Sequence, residues 1–173
     1  MNQIIAILIA IAVQHFSCSE RNDKTVDPGH LNAVATTGMI ADLVGQIGAE
    51  RVAVTGLMGP GVDPHYYKAT QGDLKHLTEA DVIFYNGLFL EGKLDEIFQK
   101  MARTKTVVAV SRTIPEGQLR KPAEFEGNYD PHIWFDVELW RSAIAVVVAT
   151  LSEVDPGGAA RFASNGRQYS ESL

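Results

Sequence analysis

From Leu31 onward, short unbroken apolar runs alternate with stretches whose apolar residues recur every three or four positions. The runs at Leu31–Ala35, 51–55, 81–86 and 106–110 have the length and content of buried strands. Between the first two, Met39, Ile40, Leu43, Val44 and Ile47 fall on one helical face, behind a Thr37 suited to cap the helix and before a Gly48 suited to end it. Leu74 and Leu77 mark a short amphipathic helix over 69–80. Leu90, Leu94, Ile97, Phe98 and Met101 mark another over 89–103. Strand and helix thus alternate through four units with short connections. That order predicts an α/β fold: a four-stranded parallel sheet with helices on both faces and right-handed crossovers. Residues 111–129, with Pro115, Gly117, Pro122 and Gly127, read as a long irregular loop. A helix follows over 137–151, Pro156-Gly157-Gly158 breaks it, and a polar helix starts at Ala159 and reaches residue 173 without a stop signal.

The first thirty positions follow a different pattern. Ile4 to Val13 is continuously apolar and no charge precedes Glu20, which suits the apolar segment of a secretory leader over 1–17. Cys18 then sits where a bacterial lipoprotein signal is cut and acylated, ahead of a polar tether over 18–30. His15, Phe16 and the missing basic start depart from that pattern. An ordinary leader, or a buried first strand with an inert thiol, are the other readings. Cys18 is the single cysteine of the 173 residues, so neither secretory version leaves a disulfide in the mature domain. The remaining length suits one well-cored domain over 31–156. An apolar fraction of 46%, a charged fraction of 21% and a net charge of −6 are those of an ordinary globular protein, and they argue against a nucleic-acid partner.

In parallel sheets, ligands collect in loops beyond the carboxyl ends of the strands. The loop after the second strand is Gly59-Pro-Gly-Val-Asp-Pro-His65, where proline restricts the residue before it and so presents the histidine rigidly. The same tripeptide returns as Asp130-Pro131-His132, ahead of Ile133-Trp-Phe-Asp136. Imidazoles held by separate rigid loops suit zinc and related divalent ions. Asp63, Asp130 and Asp136 are placed to orient the rings by accepting the other ring N–H. Spacing alone leaves open whether His65 and His132 bind metal or merely cap tight loops. His15, His30 and His76 read as a leader, a tether and a solvent-facing histidine. Gly59-Pro-Gly61 lacks the lysine of a phosphate loop, and no Ser-His or Cys-His nucleophile pair is present. Trp134, Phe135 and Trp140 read as packing residues.

Four segments carry a family resemblance: Val34-Ala-Thr-Thr-Gly-Met-Ile40, Gly59 through Leu74, Glu79-Ala-Asp-Val-Ile-Phe-Tyr-Asn-Gly87 and Tyr129-Asp-Pro-His-Ile-Trp-Phe-Asp136. In order and spacing they resemble the zinc/manganese solute-binding lipoproteins of bacterial metal ABC transporters. The resemblance implies two α/β lobes joined by a long helix, with the metal between them. It implies that His65 and His132 are the ligands of the first lobe, and that residues 157–173 begin the linking helix. The second lobe's ligands have no counterpart here, so the chain resembles the amino-terminal half of such a protein. The implied function is extracytoplasmic capture of divalent zinc or manganese as cargo and its delivery to a membrane permease, with no catalysis and with a lipid anchor at Cys18. No histidine occurs in 111–129, where zinc-type members often carry a histidine-rich loop, which leans toward manganese or a general zinc/manganese carrier. The other readings are a zinc-dependent hydrolase with Asp63 or Asp136 as general base, and an inactive surface lipoprotein.

Overall fold

Four strands, β1 (Leu31–Ala35), β2 (Val52–Gly56), β3 (Val82–Tyr85) and β4 (Thr106–Ala109), form one parallel sheet in the order β2-β1-β3-β4. This is a computed structural model that describes residues 30–125 and 127–173. The leader over 1–17, Cys18 and the tether up to residue 29 lie outside the described residues. Among the described residues, no helix is long and apolar enough to cross a membrane.

Alternation along the strands sends side chains to two cores. Ala33, Ala35, Val82, Phe84 and Val108 face α1 (Gly38–Gly48), α4 (Val137–Val154) and α5 (Ala159–Ser172). Val34 and Ile83 face the opposite layer, where α2 (Gln71–Glu79) contributes Leu77 and α3 (Leu94–Met101) contributes Leu94 and Phe98. Both sheet faces are therefore covered, which is why the strands read as continuous apolar runs. Strand order reverses between β1 and β3, and the loops leaving the carboxyl ends of the strands meet beside that point.

Helix starts follow side-chain chemistry. Thr37 Oγ1 accepts the Ile40 N–H at the head of α1, as its sequence position predicts. Thr70 and Asp73 cap α2 reciprocally, so that helix begins at Gln71 and not at residue 69. Leu74, expected on its buried face, is instead 44% exposed, because Leu77 alone reaches the core from that short helix. Gly48 ends α1, but the left-handed residue beyond it is Ala49 (φ 46°). Glycine is needed at 48 for space, since a Cβ there would lie 2.5 Å from the Val52 side chain.

The third helix departs most from expectation. It begins at Leu94, five residues later than the apolar spacing predicts. Gly87, Leu88 and Phe89 all have positive φ (81°, 56° and 62°), which no right-handed helix accommodates. The cause is Glu91, whose buried carboxylate accepts the N–H groups of Asn86 and Gly87 and folds the chain back on the end of β3.

Candidate metal centre

The two Asp-Pro-His segments form matching turns at the carboxyl edge of the sheet. Asp63 Oδ1 accepts the His65 N–H at 2.9 Å, and Asp130 Oδ1 accepts the His132 N–H at 3.0 Å. In each, proline fixes the chain between an aspartate and the histidine that it caps. A one-turn helix, Pro64–Tyr66, carries His65. His132 sits just before another, Ile133–Phe135. Although 67 residues separate them, their Nε2 atoms lie 3.4 Å apart and their rings stand edge to face at 63°.

The carboxylates divide their work unequally. Asp130 Oδ1 also lies 2.7 Å from His132 Nδ1. An acidic acceptor there favours the tautomer with its proton on Nδ1, leaving the Nε2 lone pair turned toward His65. Burial pushes the Asp130 carboxyl up, but hydrogen bonds from the His132 N–H and ring, with Arg120 nearby, bring it below the ordinary carboxylate range. Asp63 and Asp136 do not orient a ring, contrary to the sequence expectation. Asp63 is used by the His65 backbone, and Asp136 caps α4 by accepting from Glu138 N and Leu139 N. Short aspartates two or three residues ahead of free N–H groups close those local rings more readily than they reach an imidazole.

The His65 loop is anchored from behind. Tyr67 donates its hydroxyl to Asp73 at 2.7 Å, tying the loop to the head of α2. Burial and that hydrogen bond push the Tyr67 phenol up to about 12. Around His132, Trp134 packs edge to face at 5.2 Å and Phe125 lies at 6.2 Å. Trp140 is a core residue as expected, but Phe135 is 82% exposed, and Tyr66, Phe89 and Val62 are exposed as well. His30 and His76 are exposed. Among the described residues, no group of three or more His, Cys, Asp or Glu side chains is arranged around a common ion position. Among the described residues, what the edge offers is two converging imidazoles, one of them oriented by a carboxylate.

A buried polar cluster that the sequence reading passed over lies directly beneath. Thr36, Asn86, Glu91 and Ser111 follow the ends of β1, β3 and β4 and are all buried. The visible sign was a lone glutamate inside Gly87-Leu-Phe-Leu-Glu-Gly92, an apolar stretch bracketed by glycines.

Residues 33–173 match the family model described as zinc-uptake complex component A, periplasmic. The manganese-binding lipoprotein MntA of Bacillus subtilis is 46% identical over 143 residues, 83% of this chain and 46% of its own length. The zinc-binding protein TroA of Treponema pallidum is 48% identical over 140 residues, 81% of this chain and 45% of its own. The solved structure of Treponema pallidum TroA superposes with a TM-score of 0.78 at 45% identity, covering 83% of this chain and 51% of that one. A manganese-bound periplasmic metal-binding protein from Candidatus Liberibacter asiaticus superposes at 0.74 with 27% identity, covering 82% and 52%. The chain thus spans about half the length of the relatives it matches, and those relatives are named for binding metal and not for a reaction. With the match running from β1 through α5, the chain belongs to the family of periplasmic zinc-uptake component A proteins, which includes the substrate-binding lipoproteins of metal ABC transporters.

Proposed function

We propose that this chain captures a divalent metal ion outside the cytoplasm, as part of the solute-binding component of a zinc/manganese ABC transporter that hands its cargo to a membrane permease. His65 and His132 are the ligands supplied by these residues. Cys18 carries the lipid that holds the protein at the extracytoplasmic face of the membrane.

The observation that carries the reading is the 3.4 Å between the two Nε2 atoms. Two nitrogens each about 2.05 Å from a tetrahedral zinc ion are about 3.3 Å apart. The imidazoles therefore stand at the spacing of two ligands of one ion, and Asp130 supports one of them in the way ligating histidines are usually supported. Two imidazoles supply two of the four ligands of such an ion, and the family resemblance implies that the others come from a second lobe. Manganese favours carboxylates more than zinc does, so zinc is the stronger partner for these two ligands taken alone.

Calorimetric titration of the purified chain with Zn²⁺ tests this. Wild type is expected to bind one ion, and His65→Ala and His132→Ala each to lose most of that affinity. Wild-type binding retained by both single variants would exclude the assignment. Growth in labelled palmitate, with Cys18→Ala as control, tests the anchor, and equal label in both proteins would remove it.

A further inference from the structure

The loop between β3 and α3 lies between the two histidine turns and touches both. At one end, Asn86 Nδ2 donates 2.9 Å to the carbonyl of Pro131, the residue immediately before His132. At the other, Gly92 packs so closely on the His65 turn that a Cβ there would lie 3.0 Å from the His65 carbonyl oxygen. Between these ends the backbone is strained, with Leu88 and Phe89 in the left-handed region that disfavours all but glycine and a few short polar residues. Glu91 holds it there. Its Oε1 accepts from Thr36 Oγ1 at 2.8 Å and from Asn86 N at 2.6 Å, and its Oε2 accepts from Gly87 N at 3.2 Å. Ser111 Oγ fixes the Asn86 carbonyl from the β4 side at 2.6 Å. The fully buried Glu91 side chain thus bonds to the ends of β1 and β3. Asn86 carries the contacts to the β4 side and the His132 turn, and Gly92 the contact to the His65 turn.

A carboxylate is a poor choice if only stability is wanted. Burying it requires desolvating a charge, and an apolar side chain of similar volume often serves a core as well or better. What a carboxylate supplies and an apolar side chain does not is direction, since its two oxygens fix three donors at once. We propose that Glu91 is a positioning residue for the metal site: acting through Asn86 and Gly92, it holds the His65 and His132 turns at the separation at which both rings meet one ion. The inference rests on the reading that these two histidines bind the ion.

The test compares Glu91→Gln, Asn86→Ala and Thr36→Val with wild type, using Zn²⁺ affinity and the visible absorption spectrum of bound Co²⁺, both taken well below each variant's melting temperature. Gly166→Ala, at a helix contact remote from the site, is the control for destabilisation alone. Glu91→Gln and Asn86→Ala are expected to weaken Zn²⁺ binding about tenfold or more and to alter the Co²⁺ spectrum, while Gly166→Ala lowers the melting temperature and leaves both unchanged. Wild-type affinity and spectrum in Glu91→Gln and Asn86→Ala would overturn the positioning role. If Glu91→Gln does not fold, Asn86→Ala, which removes the Nδ2 bonds to the Gly87 and Pro131 carbonyls, and Thr36→Val, which removes one bond to Glu91, decide by the same criterion. His65→Ala and His132→Ala separate the two claims: should they bind Zn²⁺ like wild type, the ligand assignment fails, and the positioning role falls with it.

Discussion

Asp63 and Asp130 occupy the same place in the same tripeptide, yet only one of them touches an imidazole. Both accept the N–H of the histidine two residues on, and Asp130 alone also reaches the ring, at 2.7 Å from Nδ1. His132 is therefore held in orientation and tautomer by its own turn, whereas the His65 ring depends on the packing of its loop. This asymmetry gives a prediction. Asp130→Ala is expected to weaken Zn²⁺ binding by about 10–100-fold, the usual cost of losing the partner of a ligating histidine. Asp63→Ala is expected to weaken it less, by loosening a turn. Titration of the two variants side by side checks this, and a larger loss in Asp63→Ala would contradict it. Tyr67→Phe removes the tie from the same loop to Asp73 and is expected to lower affinity with the aspartates intact; an unchanged Zn²⁺ titration would show that the tie is dispensable. The doubled Asp-Pro-His was legible in the chain because proline and a short acceptor act locally. Which carboxylate would bond a ring was not. It turns on one side-chain rotation, and the backbone N–H competes for the same oxygen.

Among the elements, those whose boundaries depend on neighbouring residues matched their sequence patterns closely, and those governed by distant partners did not. The strands and α1 fall within a residue or so of the apolar pattern, since continuous apolar runs and an adjacent threonine cap define them. The start of α3 was misplaced because Leu90 continues a helical spacing that Glu91 overrides. Its donor on Thr36 is 55 residues away. The last helix shows the same limit. Its composition reads as polar, yet α5 packs against α1 and α4 through Phe162, which is fully buried, and Gly166. Asn165 Nδ2 adds a bond to the Ile47 carbonyl at 2.9 Å. At Gly166 the helices approach so closely that a Cβ would lie 2.4 Å from Val148 Cγ2. Gly166→Ala gains intrinsic helix propensity of about 1 kcal/mol, but it must push Val148 aside or part the helices. Overpacking of this kind typically costs about 1–3 kcal/mol, so a net loss of stability is expected, read as a lower midpoint in urea. A higher midpoint would mean that α4 and α5 yield at that contact.

On the scale of the whole molecule, the carboxyl groups fall into two sets with opposite pH dependence. Asp155 is held below the ordinary range by a hydrogen bond from Arg51, and in Asp73 hydrogen bonds from Tyr67 and Thr70 outweigh the upward push of burial. A depressed carboxyl contributes stability above its unfolded pKa and loses it as pH falls through the folded value, so these groups act below about pH 4. Glu91 does the reverse. Burial drives it up to about 7, outweighing its three hydrogen bonds, with Asp95 adding to the rise. The folded chain then holds a proton that the unfolded chain has released, so stability falls as pH climbs from the ordinary glutamate value near 4.5 to about 7, and is flat above. A shift of that size corresponds to about 3 kcal/mol at most. Asp95, also raised by burial, acts in the same sense. Without metal, wild type is expected to gain on acidification from about pH 7.5 to about pH 5 a stability increment that Glu91→Gln lacks. Subtracting the two urea-unfolding profiles removes every titration they share. A difference that stays constant across this range would mean that Glu91 titrates as an ordinary carboxyl. A difference that widens toward acid would show that the group bracing the site carries its charge, at neutral pH, at the expense of the fold.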